Sequence, residues 1–356
     1  MKVVVAMSGG VDSSTVAGLM VEAGHEVIGL AMKTHDEAPR QNRACCTPDD
    51  MRDARRVADT LGIPFYVLNY ADVFREEIIG PFAEAYLQGR TPNPCVECND
   101  KVKFRPMLKR AKLLGADRLV TGHYARIDRE GPHPRLRRGV DSAKDQSYFL
   151  YRMNATQLDA LEFPLGEMTK DEVRDHARRM GLSVVAEKHE SQEICFVGSD
   201  GYAATVEKIA GRVGALGPIL NQDGEKLGEH RGVHHYTHGQ RRGLGIAATE
   251  PLYVTGIDAK NAVVTVGPKD ALLTAALWIE NAHWVGAPPA AGTPILVQQR
   301  YRESPKAAVV AEAEATHARI EFPEPTPKGA PGQACVVYDG DVVLGGGTIE
   351  RFEAAS

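Results

Sequence analysis

Two stretches of this chain carry residue types whose spacing could do chemistry. The first is Ser8–Gly9–Gly10–Val11–Asp12–Ser13–Ser14, which joins the apolar run Lys2–Met7 to a stretch of helical period starting at Ser13. Two glycines let backbone amides approach a bound group, the hydroxyls donate hydrogen bonds, and a helix start adds partial positive charge. That combination suits phosphate oxygens, and Asp12 is placed to hold Mg2+ against them. The lysine of a Walker loop is absent, as is the G-x-G-x-x-G of dinucleotide folds. The second stretch is Thr91–Pro92–Asn93–Pro94–Cys95–Val96–Glu97–Cys98–Asn99. Here two prolines fix a loop and Asn99 opens a basic, helix-like segment, where Lys101, Lys103 and the helix start favour a thiolate. A further cysteine, Cys195, lies in Glu193–Ile194–Cys195–Phe196–Val197, an apolar setting whose ordinary reading is a buried core thiol. Cys45, Cys46 and Cys335 have nothing around them that argues chemistry, and read as packing or surface thiols.

The Ser-Gly-Gly-x-Asp-Ser loop after a first strand resembles that of the PP-loop ATP pyrophosphatase superfamily, over roughly the first 200 residues. Those enzymes cut ATP between its α and β phosphates, adenylate an oxygen and release pyrophosphate. The resemblance implies that Ala6, Met7, Ser8, Gly9, Gly10, Val11, Asp12 and Ser13 hold ATP. It further implies that Met32 lies beside the adenine and that Gly122, in Thr-Gly-His-Tyr, lines the nucleotide.

Further blocks follow in order: the Thr91–Asn99 segment, Lys144–Leu150, Ile194–Phe196, His238–Ile246, Arg300–Arg302 and Pro331–Gln333. Together they resemble the bacterial tRNA-uridine 2-thiolases, and they span essentially the whole chain. The resemblance implies an ATP-dependent transferase that puts sulfur on the wobble uridine of the tRNAs for Lys, Glu and Gln. Cys195 would carry a persulfide received from a sulfur relay protein or a cysteine desulfurase. Cys98 would attack it, leaving a Cys98–Cys195 disulfide. Asn93, Pro94 and Cys95 would meet the target base, and His123, Lys144, Asp145, Gln146, Arg300, Tyr301 and Gln333 the rest of the tRNA.

One departure opens an alternative. Many relatives have aspartate where this chain has Cys95, and there the carboxylate is proposed as a general base. Here Cys95, Cys98 and Cys195 could instead ligate a 4Fe-4S cluster with one open iron. A structural zinc site would want four ligands, and there is no second C-x-x-C. His234, His235 and His238 suggest a metal, but no carboxylate or cysteine completes a convincing set; they read as RNA-facing or structural. Another adenylating PP-loop enzyme, such as an amidotransferase or a tRNA lysidine synthase, is the enzymatic rival, and a nucleotide-gated RNA-binding module the non-enzymatic one.

These residues need elements to position them. Lys2–Met7, Glu26–Met32, Phe65–Leu68 and Arg118–Thr121 read as strands of a parallel α/β sheet, alternating with helices. Gly24 is placed for a left-handed cap; Thr47 and Pro48 start a second helix that Gly62 closes. Thr169–Glu172 is a capping box. After about Ser199 helical period fades. From Leu277 the runs Ile295–Arg300, Ala307–Ala311, Ala334–Tyr338 and Val342–Leu344 read as strands of a small all-β barrel, with a hairpin turn at Asp339–Gly340. The expected division is a PP-loop catalytic domain over 1–198, a small connecting domain over 199–270 and a C-terminal β-barrel-like domain over 271–356.

The chain's 356 residues carry 43% apolar and 25% charged residues, enough for a sizeable core. No apolar stretch approaches the roughly 18–20 residues of a membrane span. Ser8, Gly9, Gly10 and Asp12 break the only early apolar run, so a cytoplasmic, membrane-free location is expected. Six cysteines are too few for a disulfide scaffold of this length. The net charge of −5 argues against nucleic acid as a whole-chain sum. Resolved along the chain, residues 90–152 hold 15 basic and 7 acidic residues, a surplus of eight, against −13 for the remainder. That basic block beside the cysteine loop is what a phosphate backbone would seek.

Overall fold

A computed structural model of the chain describes residues 1–35, 47–188 and 194–355; Cys45 and Cys46 lie outside the described residues. It forms two compact units. The first comprises Met1–Ile78, Cys95–Ser199 and Asp341–Val343, the second Ile79–Pro94, Asp200–Gly340 and Leu344–Ser356.

The first unit is built on strands β1 (Lys2–Ala6), β2 (Glu26–Lys33), β3 (Phe65–Asn69), β4 (Arg118–Val120) and the short Leu161–Glu162. They lie in the order β3–β2–β1–β4 and then Leu161–Glu162, every neighbouring pair parallel. β1 reads as a continuous apolar run because it is covered on both faces: Val3, Val4 and Val5 have no exposed surface. Burying each valine contributes about 1.5–3 kcal/mol relative to exposure. Helix α1 (Val11–Glu22) is buried along most of its length, including Ser13, Ser14 and Thr15. Helix α2 (Pro48–Leu61) starts as expected: the Thr47 side chain accepts from the Asp50 amide, Pro48 is the first residue, and Gly62 ends the helix at φ 67°. Thr169 caps helix Lys170–Arg179 in the same way through Glu172.

Strand order reverses at β1, which has β2 on one side and β4 on the other. In such sheets a ligand sits outside the carboxyl ends of the strands at that switch point. The two ends are Met7–Gly10 and Thr121–His123. This is what the fold does for the site.

The second unit holds two β structures. Tyr253–Asp258, Val263–Gly267, Gly217–Leu220 and Lys226–His230 form a four-stranded sheet around Ile219, Val254, Val264 and Val266. Leu273–Trp284, His317–Pro327, Lys306–Ala313, Pro294–Gln298, Ala334–Asp339 and Val342–Ala354 form a closed barrel, the last strand pairing back onto the first. Its core includes Leu277, Ile279, Val310, Ile320, Cys335 and Val337.

Three features differ from the sequence reading. A helix, Gly201–Ala210, stands where helical period fades, and Gly211 closes it at φ 63°. Its Tyr202 ring packs 4.9 Å from Tyr86 of helix Gly80–Leu87, so Ile79–Pro94 belongs to the second unit rather than the first. A hairpin, Ala125–Asp128 with Arg135–Arg138, lies inside the basic block.

Candidate active site

The loop after β1 is shaped by steric necessity. Gly9 has φ +76°, and a Cβ there would lie 2.0 Å from the Asp50 carbonyl oxygen, so only glycine lets α2 approach this closely. The Ser13 hydroxyl accepts from the Ser8 amide at 3.0 Å and donates to the Gly10 carbonyl at 3.3 Å, pinning the turn across α1's start. The Ser14 hydroxyl is buried with no partner among the described residues. An orphaned donor in the first turn of a helix behind two glycines fits a phosphate ligand. Gly122 closes the other side: its Cβ would meet Asp12 and Ser13 backbone atoms at 3.0 Å. Met32, at the carboxyl end of β2, is 4% exposed.

Asp12 is the centre of a network that sequence reasoning missed. Lys170 Nζ donates to its two oxygens at 2.7 and 2.9 Å, and the Tyr124 hydroxyl donates to Oδ1 at 2.8 Å. The lysine side chain is only 9% exposed. Lys170 reads in sequence as the first residue behind a capping box, which hides it 158 positions from its partner. Lys188 makes a second unforeseen link. Its ammonium donates to the Gly9 carbonyl at 3.0 Å, to Asp50 at 2.6 Å and to Asp53 at 2.7 Å. Burial alone would lower its pKa, but the bonds and charges of Asp50 and Asp53 outweigh that and raise it.

The cysteine segment corrects one expectation. Helical backbone starts at Pro94, not Asn99, and runs through Pro94–Glu97, a π-helical stretch Cys98–Phe104 and Arg105–Leu113. Proline suits a first helical position because it has no N–H to leave orphaned. Cys95 therefore occupies the first turn and is exposed, whereas Cys98 lies one turn on and is buried. Lys101 reaches the carboxylates of Glu77 and Glu97 at 3.3 Å. Asn99 donates to the Phe149 carbonyl at 3.3 Å, and its Oδ1 is buried with no partner among the described residues.

Cys195 is half-buried in a turn closed by the Val197 amide on the Ile194 carbonyl, 3.1 Å. Phe196 takes the buried place, its ring 5.8 Å from Phe74. The core-thiol reading of Cys195 thus fails: the apolar run buries the phenylalanine and leaves the cysteine beside it accessible. Cys335 is the core thiol, with no exposed surface in the barrel, and burial pushes its pKa up.

Of the residues assigned to tRNA by resemblance, some are used by the fold. Asp145 accepts from the amides of Gly139 and Ser147, the Ser147 hydroxyl and Arg138, and is 8% exposed. The Gln146 side chain accepts from the Tyr124 amide at 3.0 Å. Lys144 is half-buried beside them. His123 sits edge-on to Phe163 and near Phe104, with Thr121 Oγ1 2.7 Å from Nδ1. Burial, helped by Lys103, brings its pKa down to about 3, so the ring is neutral at physiological pH. In the second unit, Asn93 is half-buried just before the helix start, and Arg300 is exposed and donates to the Lys328 carbonyl at 3.0 Å. The Arg302 guanidinium stacks 5.6 Å from the Tyr301 ring. Gln333 Oε1 is buried with no partner among the described residues.

The basic block also needs correction. Among the described residues, at least nine of its 15 cations are paired with carboxylates: Arg90, Lys101, Arg105, Arg118, Arg126, Arg135, Arg137, Arg138 and Arg152. Asp341, some 200 residues away, takes both Arg126 at 2.6 Å and Arg137 at 2.9 Å. Lys109, Arg110 and Lys112 remain exposed on the helix Arg105–Leu113, with no ion pair among the described residues. Much of the surplus is therefore tied up in ion pairs, and Lys109, Arg110 and Lys112 are exposed cations outside those pairs.

Among the described residues, one set of three potential metal ligands lies within 4.8 Å of one another: Glu207, His234 and His235. Cys95, Cys98 and Cys195 do not form such a set. The expectation that no carboxylate joins the histidines is overturned, because helix Gly201–Ala210 brings Glu207 to them. His238 stands apart, near Lys328 and Arg300, and burial together with those cations lowers its pKa to about 4.

Comparison with known proteins agrees with this geometry. Three family models match: the tRNA methyl transferase HUP domain over residues 1–199, the tRNA methyl transferase PRC-barrel domain over 207–268, and the aminomethyltransferase beta-barrel domain over 274–349. The tRNA-specific 2-thiouridylase MnmA of Geobacter metallireducens is 49% identical, covering 98% of this chain and 96% of its own length. The 2-thiouridylase MnmA of Methylobacterium sp. is 48% identical over 99% of this chain and 95% of its own. That of Rickettsia bellii is 46% identical over 98% and 96%. With a phosphate-shaped loop at the sheet's switch point, two cysteines in the same unit and these near-full-length matches, the chain belongs to the tRNA-specific 2-thiouridylase family.

Proposed function

We propose that the chain uses ATP to place sulfur on C2 of the wobble uridine in the tRNAs for Lys, Glu and Gln, in the cytoplasm. The observation that carries this is the loop Ser8–Ser14 at the β1/β4 switch point, with Cys98 and Cys195 in the same compact unit. The division into a PP-loop catalytic domain, 1–198, a connecting domain, 199–270, and a barrel, 271–356, is part of this reading and is supported by where the family matches fall.

A pyrimidine carbonyl oxygen is a poor leaving group. Its attack on the α-phosphorus of ATP expels pyrophosphate and converts it into an adenylate. The loop amides and Ser13 would hold the phosphates, Met32 and Gly122 would flank the nucleotide, and Asp12 would ligate Mg2+, which neutralises phosphate charge. Lys170 beside Asp12 adds a cation for the same charge. The terminal sulfur of a Cys195 persulfide then attacks C2 while the Cys98 thiolate attacks Cys195 Sγ. The old sulfur–sulfur bond breaks, its electron pair stays with the sulfur now on C2, AMP leaves with the oxygen, and a Cys98–Cys195 disulfide forms. A thiol reductant resets it, and a sulfur relay protein or cysteine desulfurase reloads Cys195. Asn93 and Pro94 would present the base, with Arg300, Tyr301, Gln333, His123 and Lys144 on the tRNA. The cluster Lys109–Arg110–Lys112 is our addition to the RNA surface.

The alternative with a 4Fe-4S cluster on Cys95, Cys98 and Cys195 rests on Cys95 alone. The two readings separate in one experiment. After a single turnover with persulfide-loaded protein, mass analysis under non-reducing conditions is expected to find the Cys98–Cys195 disulfide. Stoichiometric iron and sulfide in active, anaerobically purified protein, without that disulfide, would overturn the persulfide route.

A further inference from the structure

We propose that Glu207, His234 and His235 form a binding site for a divalent transition metal of the zinc class, which staples the helix Gly201–Ala210 to the turn Val233–His235. His234 Nε2 and His235 Nε2 lie 2.9 and 3.2 Å from the same Glu207 oxygen, and the three ligand atoms fall within 4.8 Å of one another. Zinc bound tetrahedrally by nitrogen and oxygen at about 2.0–2.2 Å sets its ligands roughly 3.3 Å apart. Both observed separations are close to that value. Two imidazoles and one carboxylate are also a donor set that suits zinc, and they leave a fourth position for water.

The site is built rather than incidental. The His234 side chain is fully buried, and its ring is wedged between two glycines. A Cβ at Gly214 would come 2.7 Å from Nδ1, and one at Gly232 2.5 Å from Cε1. Gly232 also holds φ +139°, which brings the chain round into the turn. The His235 carbonyl accepts from the Tyr202 hydroxyl at 2.9 Å, so the same helix that supplies Glu207 also fixes the turn's backbone. Glu207 and His235 side chains are 30% and 27% exposed, which leaves a path for an ion.

His234 Nδ1 is buried with no partner among the described residues. Metal-bound histidines usually donate that second N–H to an acceptor. Without a metal, Nε2–H donates to Glu207 and Nδ1 is a bare acceptor; with one, Nδ1–H is a bare donor. The orphan is common to both states, so it weakens the site without deciding between them. Affinity is therefore expected in the micromolar rather than the picomolar range.

The test uses the full chain, stripped with a chelator and with its accessible thiols capped, so that cysteine ligands do not compete. Wild type is expected to bind one Co2+ per chain with visible d–d absorption and no sulfur-to-cobalt charge-transfer band. In competition with a chromophoric chelator it is expected to bind one Zn2+, which raises its unfolding temperature. Glu207→Gln and His235→Ala, both at partly exposed positions, are expected to weaken Zn2+ by at least about 10–100-fold and abolish that rise. His317→Ala, an exposed barrel histidine outside the cluster, is expected to bind as wild type. Equal Zn2+ affinity in wild type and in either cluster variant, or no binding at micromolar Zn2+, would overturn the proposal.

Discussion

Gly9 and Gly24 share a left-handed φ of +76°, but a methyl group added at each meets opposite surroundings. At Gly24 nothing among the described residues lies within 4 Å. At Gly9 the new carbon falls 2.0 Å from the Asp50 carbonyl oxygen, 2.6 Å from its carbon and 2.8 Å from Asp50 Cα, all backbone atoms. Alanine at either site costs about 1–2 kcal/mol for the left-handed conformation. Gly9→Ala adds an overpacking term of about 1–3 kcal/mol, since α2 or the loop must move by about 1 Å or more. The loop is the softer of the two, and moving it also disturbs the Lys188 bonds to Gly9 and Asp50. If this loop holds the phosphates, 1–3 kcal/mol corresponds to a loss of roughly 5–150-fold in ATP affinity. Isothermal titration with Mg-ATP, alongside urea unfolding, is expected to give that loss for Gly9→Ala. Gly24→Ala should lose only stability, with ATP binding within about twofold of wild type. Equal effects of the two substitutions on ATP binding would refute the steric argument and the placement of ATP at this loop.

Three further outcomes are expected. Burial opposes it, but the Arg137 hydrogen bond and the charges of Arg137 and Arg126 hold the Asp341 carboxyl below the usual range. A carboxylate lowered on folding stabilises fully above its unfolded value of about 3.9 and loses that stability as pH falls through the folded value. Urea unfolding of Asp341→Asn should therefore show a deficit of about 1 kcal/mol that is constant from pH 5 to 8 and vanishes in stronger acid. Because His123 is neutral down to about pH 3, tRNA affinity of wild type relative to His123→Gln should not change between about pH 5 and 8; a step near 6.5 would show the ring to be solvated. Replacing Lys109, Arg110 and Lys112 together by alanine should weaken tRNA binding and make the slope of log affinity against log salt shallower by up to about 2–3, whereas an unchanged slope would remove them from the RNA surface.

The legible parts of this fold were those encoded locally. Thr47–Pro48 and Gly62, Thr169–Glu172, and the glycines after β1 are signals within a few residues, and each stands where the sequence puts it. What sequence hid was contact at long separation. Asp341 absorbs Arg126 and Arg137, which read as an RNA surface, because charge counting along a window cannot see a partner some 200 positions away. Lys170 looks like an ordinary helix residue until the fold sets it on Asp12. Glu207 is 27 residues from His234, so along the sequence the histidines read as lacking a carboxylate. The hairpin Ala125–Asp128 with Arg135–Arg138 escaped because its four-residue strands carry arginines in place of an apolar alternation. The cysteines' roles were legible only through resemblance; their apolar or basic surroundings pointed Cys195 toward the core and Cys98 toward a helix start that belongs to Cys95.

The central claim is sulfur transfer to tRNA through Cys98 and Cys195. The direct measurement incubates the full chain with ATP, Mg2+, tRNA and a sulfur source, then digests the RNA and quantifies 2-thiouridine alongside AMP and pyrophosphate. Wild type is expected to form 2-thiouridine with one AMP per modified base, and Cys98→Ser and Cys195→Ser to form none while still binding tRNA. Full thiolation by either cysteine variant, or tRNA binding by wild type without ATP cleavage, would contradict the account.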